Sequence, residues 1–202
     1  MGRTSCEETL MPTPNPAALE FLLTRRSRPA KTLARVAPPA DDIRTMLTAA
    51  ARTPDHGKLE PFRFLVFHQA AQARLSEGVR SRMAAAGEPE DKIEKQAGSM
   101  LHGGAMVAVI CAPKPSEKIP AWEQHLSAGG ACLALLNAAL AMGWGANWLT
   151  GWASYSREFM EQELGLSADE FVAGFIHLGE ETITPADRPR PDIDLVTEWV
   201  ES

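Results

Sequence analysis

Three guanidiniums and a hydroxyl stand within four residues at Arg25-Arg26-Ser27-Arg28. A phosphate monoester calls for such a set: a guanidinium grips two of its oxygens at once, and the serine adds a donor. Solvated arginines complementing a helix C-terminus make the same pattern. A second cluster, Arg52-Thr53-Pro54-Asp55-His56, falls where a helix breaks before a strand, a place from which loops present side chains to a pocket. An ordinary turn capped by Asp55 is its plainer reading. Residues 118–124 open a helix and carry Trp122, either a wall for a planar ligand or core. Trp144-Gly145-Ala146-Asn147-Trp148-Leu149-Thr150-Gly151 joins glycines, which let backbone approach a flat ring closely, to an apolar indole face. A glycine-ended helix leading into a core strand carries that pattern too.

Other chemistries find no footing. There is no G-x-x-x-x-G-K-[ST] loop and no H-E-x-x-H, and no metal site is expected. Gly143-Trp144-Gly145-Ala146-Asn147-Trp148 begins like a dinucleotide fingerprint, but its last glycine is missing and it follows a helix. Three cysteines, Cys6, Cys111 and Cys132, with no C-x-x-C, argue against a disulfide framework or a four-cysteine zinc site. Cys111 and Cys132 lie in apolar runs, as buried reduced thiols do, which fits a cytoplasmic setting.

The elements that must position these residues follow from the pattern. The chain has 202 residues, 45% hydrophobic and 23% charged, enough for one globular domain with a real core. A net charge of −6 speaks against a generally basic surface for nucleic acid. No apolar stretch reaches the ~18 residues of a membrane span. Residues 1–15 are polar, proline-bearing and without an apolar signal core, an expected flexible arm; residues 16–202 form the expected single domain. Asn15-Pro16 is a helix start. Ile43, Met46, Leu47 and Ala50 keep helical spacing, as do Leu75, Val79 and Met83, and residues 89–100 read as a polar helix. Residues 62–67, 105–112 and 171–178 read as buried strands, and 146–150 as a further strand. Residues 121–142 predict a long helix without a polar face, and 156–164 another helix. Helices alternating with strands predict α+β or α/β, with a sheet buried by helices. The tail bearing Ile193, Leu195, Val196, Trp199 and Val200 needs a surface to cover.

Taken in order, these motifs resemble the nitroreductase family of FMN-dependent oxidoreductases. The resemblance rests on Arg25-Arg26-Ser27 after a first helix, Pro54-Asp55-His56 before the strand at Pro61-Phe62-Arg63-Phe64, and the glycine-flanked strand at Trp148. Pro120-Ala121-Trp122-Glu123-Gln124 makes it closest to the small bacterial NAD(P)H nitroreductase subgroup. It spans residues 16 to 179.

The resemblance implies an α+β fold with a central, mostly antiparallel sheet flanked by helices. It implies a homodimer with FMN at the subunit interface and NAD(P)H as electron donor. It implies ping-pong transfer through flavin N5 to a nitroaromatic, quinone or similar small acceptor, with no catalytic side chain. The tail is then expected to pack on the partner subunit. Residue by residue, Arg25, Arg26 and Ser27 match the FMN-binding run. Arg52 and His56 match positions that reach the flavin from the other subunit, either of them a candidate cation for the ring. Trp148, Leu149 and Thr150 match a second flavin-contacting stretch. Ala138, Ala139, Leu140, Ala141, Met142 and Gly143 match a segment touching NAD(P)H, and Trp122 is placed as a pocket wall. Leu149 stands where close relatives carry Arg, and Arg188 or Arg190 is the expected substitute on the phosphate. A flavin carrier or redox-sensing module without turnover is the alternative.

Overall fold

Asn15 and Pro16 open the first helix as their types predict. The Asn15 side chain accepts from the Ala18 amide at 3.1 Å, and proline occupies the first turn of α1 (Pro16–Thr24). The computed structural model describes residues 13–201, so most of the expected arm, residues 1–12 with Cys6, lies outside the described residues. From α1 the chain runs through the arginine segment and one 3-10 turn (Ala30–Thr32) into β1 (Leu33–Ala34) and α2 (Ala40–Ala50). Then follow β2 (Phe62–His68), α3 (Gln69–Ala85), α4 (Glu90–Ser99), β3 (Ala105–Cys111) and α5 (Ala121–Ala141). The chain closes with β4 (Gly145–Leu149), α6 (Trp152–Tyr155), α7 (Arg157–Leu164) and β5 (Phe171–Glu181).

All strand pairings are antiparallel. β3 lies between β2 and β5, β4 pairs with β5, and β1 adds to the far end of β5. Alternation along β3 divides the core in two. Met106, Ala108 and Ile110 face a layer built from α3, α4 and α7, with Leu75, Val79, Met83, Ile93 and Phe159. Ala105, Val107 and Val109 face α2 and α5, with Ile43, Met46, Ala131, Leu135 and Ala139. Every residue of β3 is buried, as a strand covered on both faces must be.

Two expectations are refined. The strand expected to be buried at 62–67 is an edge strand, paired only with β3, and Val66 is 37% exposed. The helix expected at 156–164 is preceded by α6, and Ser156 separates the two by capping α7, its hydroxyl accepting from the Phe159 amide at 3.3 Å. Cys111 and Cys132 are buried and free, and burial pushes their thiols up to about 11 and about 12, which leaves them inert. Among the described residues, no helix is long and apolar enough to cross a membrane.

Several apolar side chains find no cover among the described residues. Leu19, Leu22 and Leu23 of α1 are exposed, as are Trp122, Leu126 and Leu133 of α5. So are Ile193, Leu195, Val196, Trp199 and Val200 of the tail.

Candidate functional site

The arginine run is held in place by its own backbone. Arg25 Nη2 donates to the Ser27 hydroxyl at 2.9 Å, Arg26 Nη1 to the Ser27 carbonyl at 2.9 Å, and Arg28 Nη1 to the Arg26 carbonyl at 3.0 Å. Arg28 Nε also pairs with Glu181 at 2.7 Å. With Leu140, Gly143 and Trp144 at the end of α5, these arginines line a cavity of about 250 Å³. Burial first, then the like charges of Arg190, Arg26 and Arg28, lower the proton affinity of the Arg25 guanidinium. Arg190 is therefore part of the cluster. It also pairs with Asp187 at 2.8 Å, and Asp187 is held below its ordinary range by the Arg188 amide, by Arg190 and, more weakly, by Arg26. Four guanidiniums thus meet two carboxylates, Glu181 and Asp187. The Nε atoms of Arg25 and Arg26 are buried without a partner. Buried donors of this kind call for an acceptor, and a phosphate dianion matches both the donors and the excess charge.

A second cavity, about 370 Å³ and mostly apolar, lies beyond the same segment. The Arg28 amide donates to the Ala146 carbonyl at 2.8 Å and the Asn147 side chain donates to the Arg28 carbonyl, so the segment is fastened to β4. Its continuation, Pro29 to Lys31, forms one wall. Lys95, Gln96 and Ser99 of α4, with His102 just after it, form another, and Asn147, Leu149 and Thr150 form the floor. Lys31, Lys95 and His102 bring positive or protonatable groups, and among the described residues no carboxylate lines the space. None of these three was singled out from sequence. Lys95 and Ser99, four apart on one helix face, were the available signal.

The other expected site residues fall in different places. β4 alternates, so Trp148 lies on the face opposite Asn147 and Leu149, its indole across Gly174. Arg188 places only its backbone amide, on Asp187, so Arg190 and not Arg188 joins the arginines. Ala139 is fully buried in the core, and what its stretch offers a ligand is Leu140 and Gly143 in the basic cavity. Trp122, read as wall or core, is 60% exposed within one chain and is therefore not core.

The Arg52 to His56 loop is pinned to α5. His56 Nδ1 meets Glu123 at 2.7 Å, the Ser127 hydroxyl donates to the Pro54 carbonyl at 2.8 Å, and a side chain at Gly130 would collide with Thr53. Leu140, at the basic cavity, lies seventeen residues further along α5 than Glu123, about 25 Å at the helical rise. Within one chain, His56 therefore stands far from the arginines.

The family model for the "Nitroreductase family" matches residues 22–180. The chain belongs to the nitroreductase family. It is similar to the Escherichia coli protein named "Putative NAD(P)H nitroreductase YdjA", 32% identical over 162 residues that cover 80% of this chain and 87% of that protein. Among solved structures it resembles a nitroreductase-like family protein from Bacillus cereus, with a TM-score of 0.76, 21% identity and coverage of 95% of this chain and 100% of the other. It also resembles the Desulfovibrio desulfuricans protein described as a "putative nitroreductase in complex with fmn", with a TM-score of 0.71, 21% identity and coverage of 94% and 100%. The structural likenesses bear out the α+β nitroreductase fold expected from sequence.

Proposed function

We propose that this chain is an FMN-dependent oxidoreductase that takes electrons from NAD(P)H and passes them, in ping-pong order, to nitroaromatic, quinone or similar acceptors. One observation carries the reading: the excess of guanidinium charge, with two orphaned buried Nε atoms, beside an apolar cavity. That pairing suits a molecule with a phosphate at one end and a flat ring at the other. The family membership and the nitroreductase name of the Escherichia coli relative support it.

Arg25, Arg26, Ser27 and Arg190 would hold the phosphate. Leu149 and Thr150 would lie against the ring, with Trp148 lending backbone and packing. When bound, FMN supplies hydride acceptance and release at N5. Lys31 and Lys95, which line the cavity from this chain, would add their charge to that of Arg52 and His56 from the second copy and stabilise negative charge on a reduced ring. Leu140 and Gly143 would be the part of the 138–143 segment that offers surface to NAD(P)H.

Arg52, His56 and Trp122 would reach the flavin from a second copy of the chain. The exposed apolar side chains of α1, α5 and the tail give such a homodimer its contact surface, since permanent interfaces are rich in apolar area. The test is the absorption spectrum of the purified protein, followed by anaerobic titration with NADH and with NADPH. A flavin spectrum bleached by a nicotinamide and restored by a quinone is expected. A protein that is colourless and takes up no FMN would refute the reading.

A further inference from the structure

Among the described residues lining the larger cavity, His102 alone is of a type whose free side chain titrates near neutral pH. Its surroundings are built with care. The His102 carbonyl accepts from His177 Nδ1 at 3.2 Å and from Gln72 Nε2 at 3.3 Å. Both donors are fully buried, and their remaining polar atoms, His177 Nε2 and Gln72 Oε1, have no partner. Two buried polar side chains thus hold one loop carbonyl, and with it the backbone from which the His102 ring projects. The His177 ring meets that of His102 edge-on, centroids 5.9 Å apart. On β5, His177 stands opposite Asn147, a floor residue of the same cavity.

We propose that His102 delivers the proton that accompanies hydride transfer to the acceptor, with His177 and Gln72 as positioning residues. This rests on the FMN reading above. A quinone needs one hydride and one proton to become a hydroquinone. A nitro group needs one hydride and one proton to become a nitroso group and water. The hydride originates from NAD(P)H. His102 breaks an imidazole N–H bond as the acceptor oxygen gains an O–H bond, and its half-buried ring regains a proton from solvent. Lysine holds its protons too tightly near neutral pH for this task.

The groups facing His102 set its titration. Burial, then the charge of Lys31, lowers its pKa below the ordinary 6.5. Lys95 lines the same space, and His177 is kept neutral by burial, its pKa pushed down to about 4. Acceptor reduction therefore slows as pH rises through a value below 6.5.

The experiment follows reoxidation of the reduced holoenzyme by menadione across pH, in wild type and in His102→Gln and His102→Phe. Relative to each variant's own rate of reduction by NAD(P)H, reoxidation should slow by on the order of 10²-fold and lose the pH inflection. Imidazole NMR should show His102 of the wild-type holoenzyme titrating below the ordinary histidine range, and higher in Lys31→Met. Unchanged reoxidation with the inflection intact overturns the inference alone, as does a His102 imidazole that never titrates. A wild-type protein that binds no flavin overturns both this inference and the reading beneath it.

Discussion

Arg25 gives one arm of its guanidinium to the Ser27 hydroxyl, Nη2 to Oγ at 2.9 Å, while its buried Nε has no partner. The serine orients the arginine, and the arginine carries the charge. Arg25→Ala should therefore weaken FMN binding by about 10- to 100-fold, the worth of a charge-assisted hydrogen bond. Ser27→Ala should cost only about fivefold. Quenching of flavin fluorescence measures both. Equal losses would mean that the serine holds the phosphate as strongly as the arginine does.

The separation of Arg25 from His56 along α5 predicts sites shared between copies. Arg25→Ala and His56→Ala are each expected to lower flavin-dependent turnover. Dissociated and reassociated together in equal amounts, they should regain roughly a quarter of wild-type sites, because half the dimers are mixed and each mixed dimer holds one intact site. Activity no higher than the average of the two separate variants would place both residues in the same chain's site.

His177 predicts an acid-labile fold. Its ordinary value is 6.5, and burial pushes it down to about 4. Between these values the unfolded chain binds a proton that the folded chain does not. Its contribution is therefore complete above pH 6.5 and declines as pH falls toward about 4, by on the order of 3 kcal/mol. His102, shifted the same way, adds to the loss. Urea unfolding of the flavin-free protein across this range should show the slope. A flat profile would contradict a buried neutral imidazole.

A Cβ at Gly174 would lie 2.0 Å from Trp148 Nε1. Gly174→Ala should displace the indole and strain β4, costing ~1–3 kcal/mol. The same substitution should cost little once Trp148 is alanine, a coupling that a double-mutant cycle on thermal unfolding reads directly. Additive losses would show that the indole does not rest on Gly174.

The legible parts of the sequence were the local ones. Asn15-Pro16 started a helix and Gly143 closed one because caps are decided within a few residues. The arginine run was readable for the same reason. Lys31, Lys95 and His102 were not, because the packing of α4 near β4 brings together residues whose local patterns say nothing of each other. Trp148 was grouped with Leu149 and Thr150 because strand alternation needs a known starting face, and the sequence does not say which face meets the cavity. His177 left a trace: a lone histidine in the apolar run of β5. Its role depends on the His102 carbonyl, which only the fold places there.

The arginine cluster is proposed to hold a phosphate. Calorimetric titration of the flavin-free protein with FMN and with riboflavin, which share the ring and differ in the phosphate, tests it most directly. FMN should bind at least about 100-fold more tightly, the worth of one to two charge-assisted bonds. Equal affinity for the two would show that the arginines bind something else.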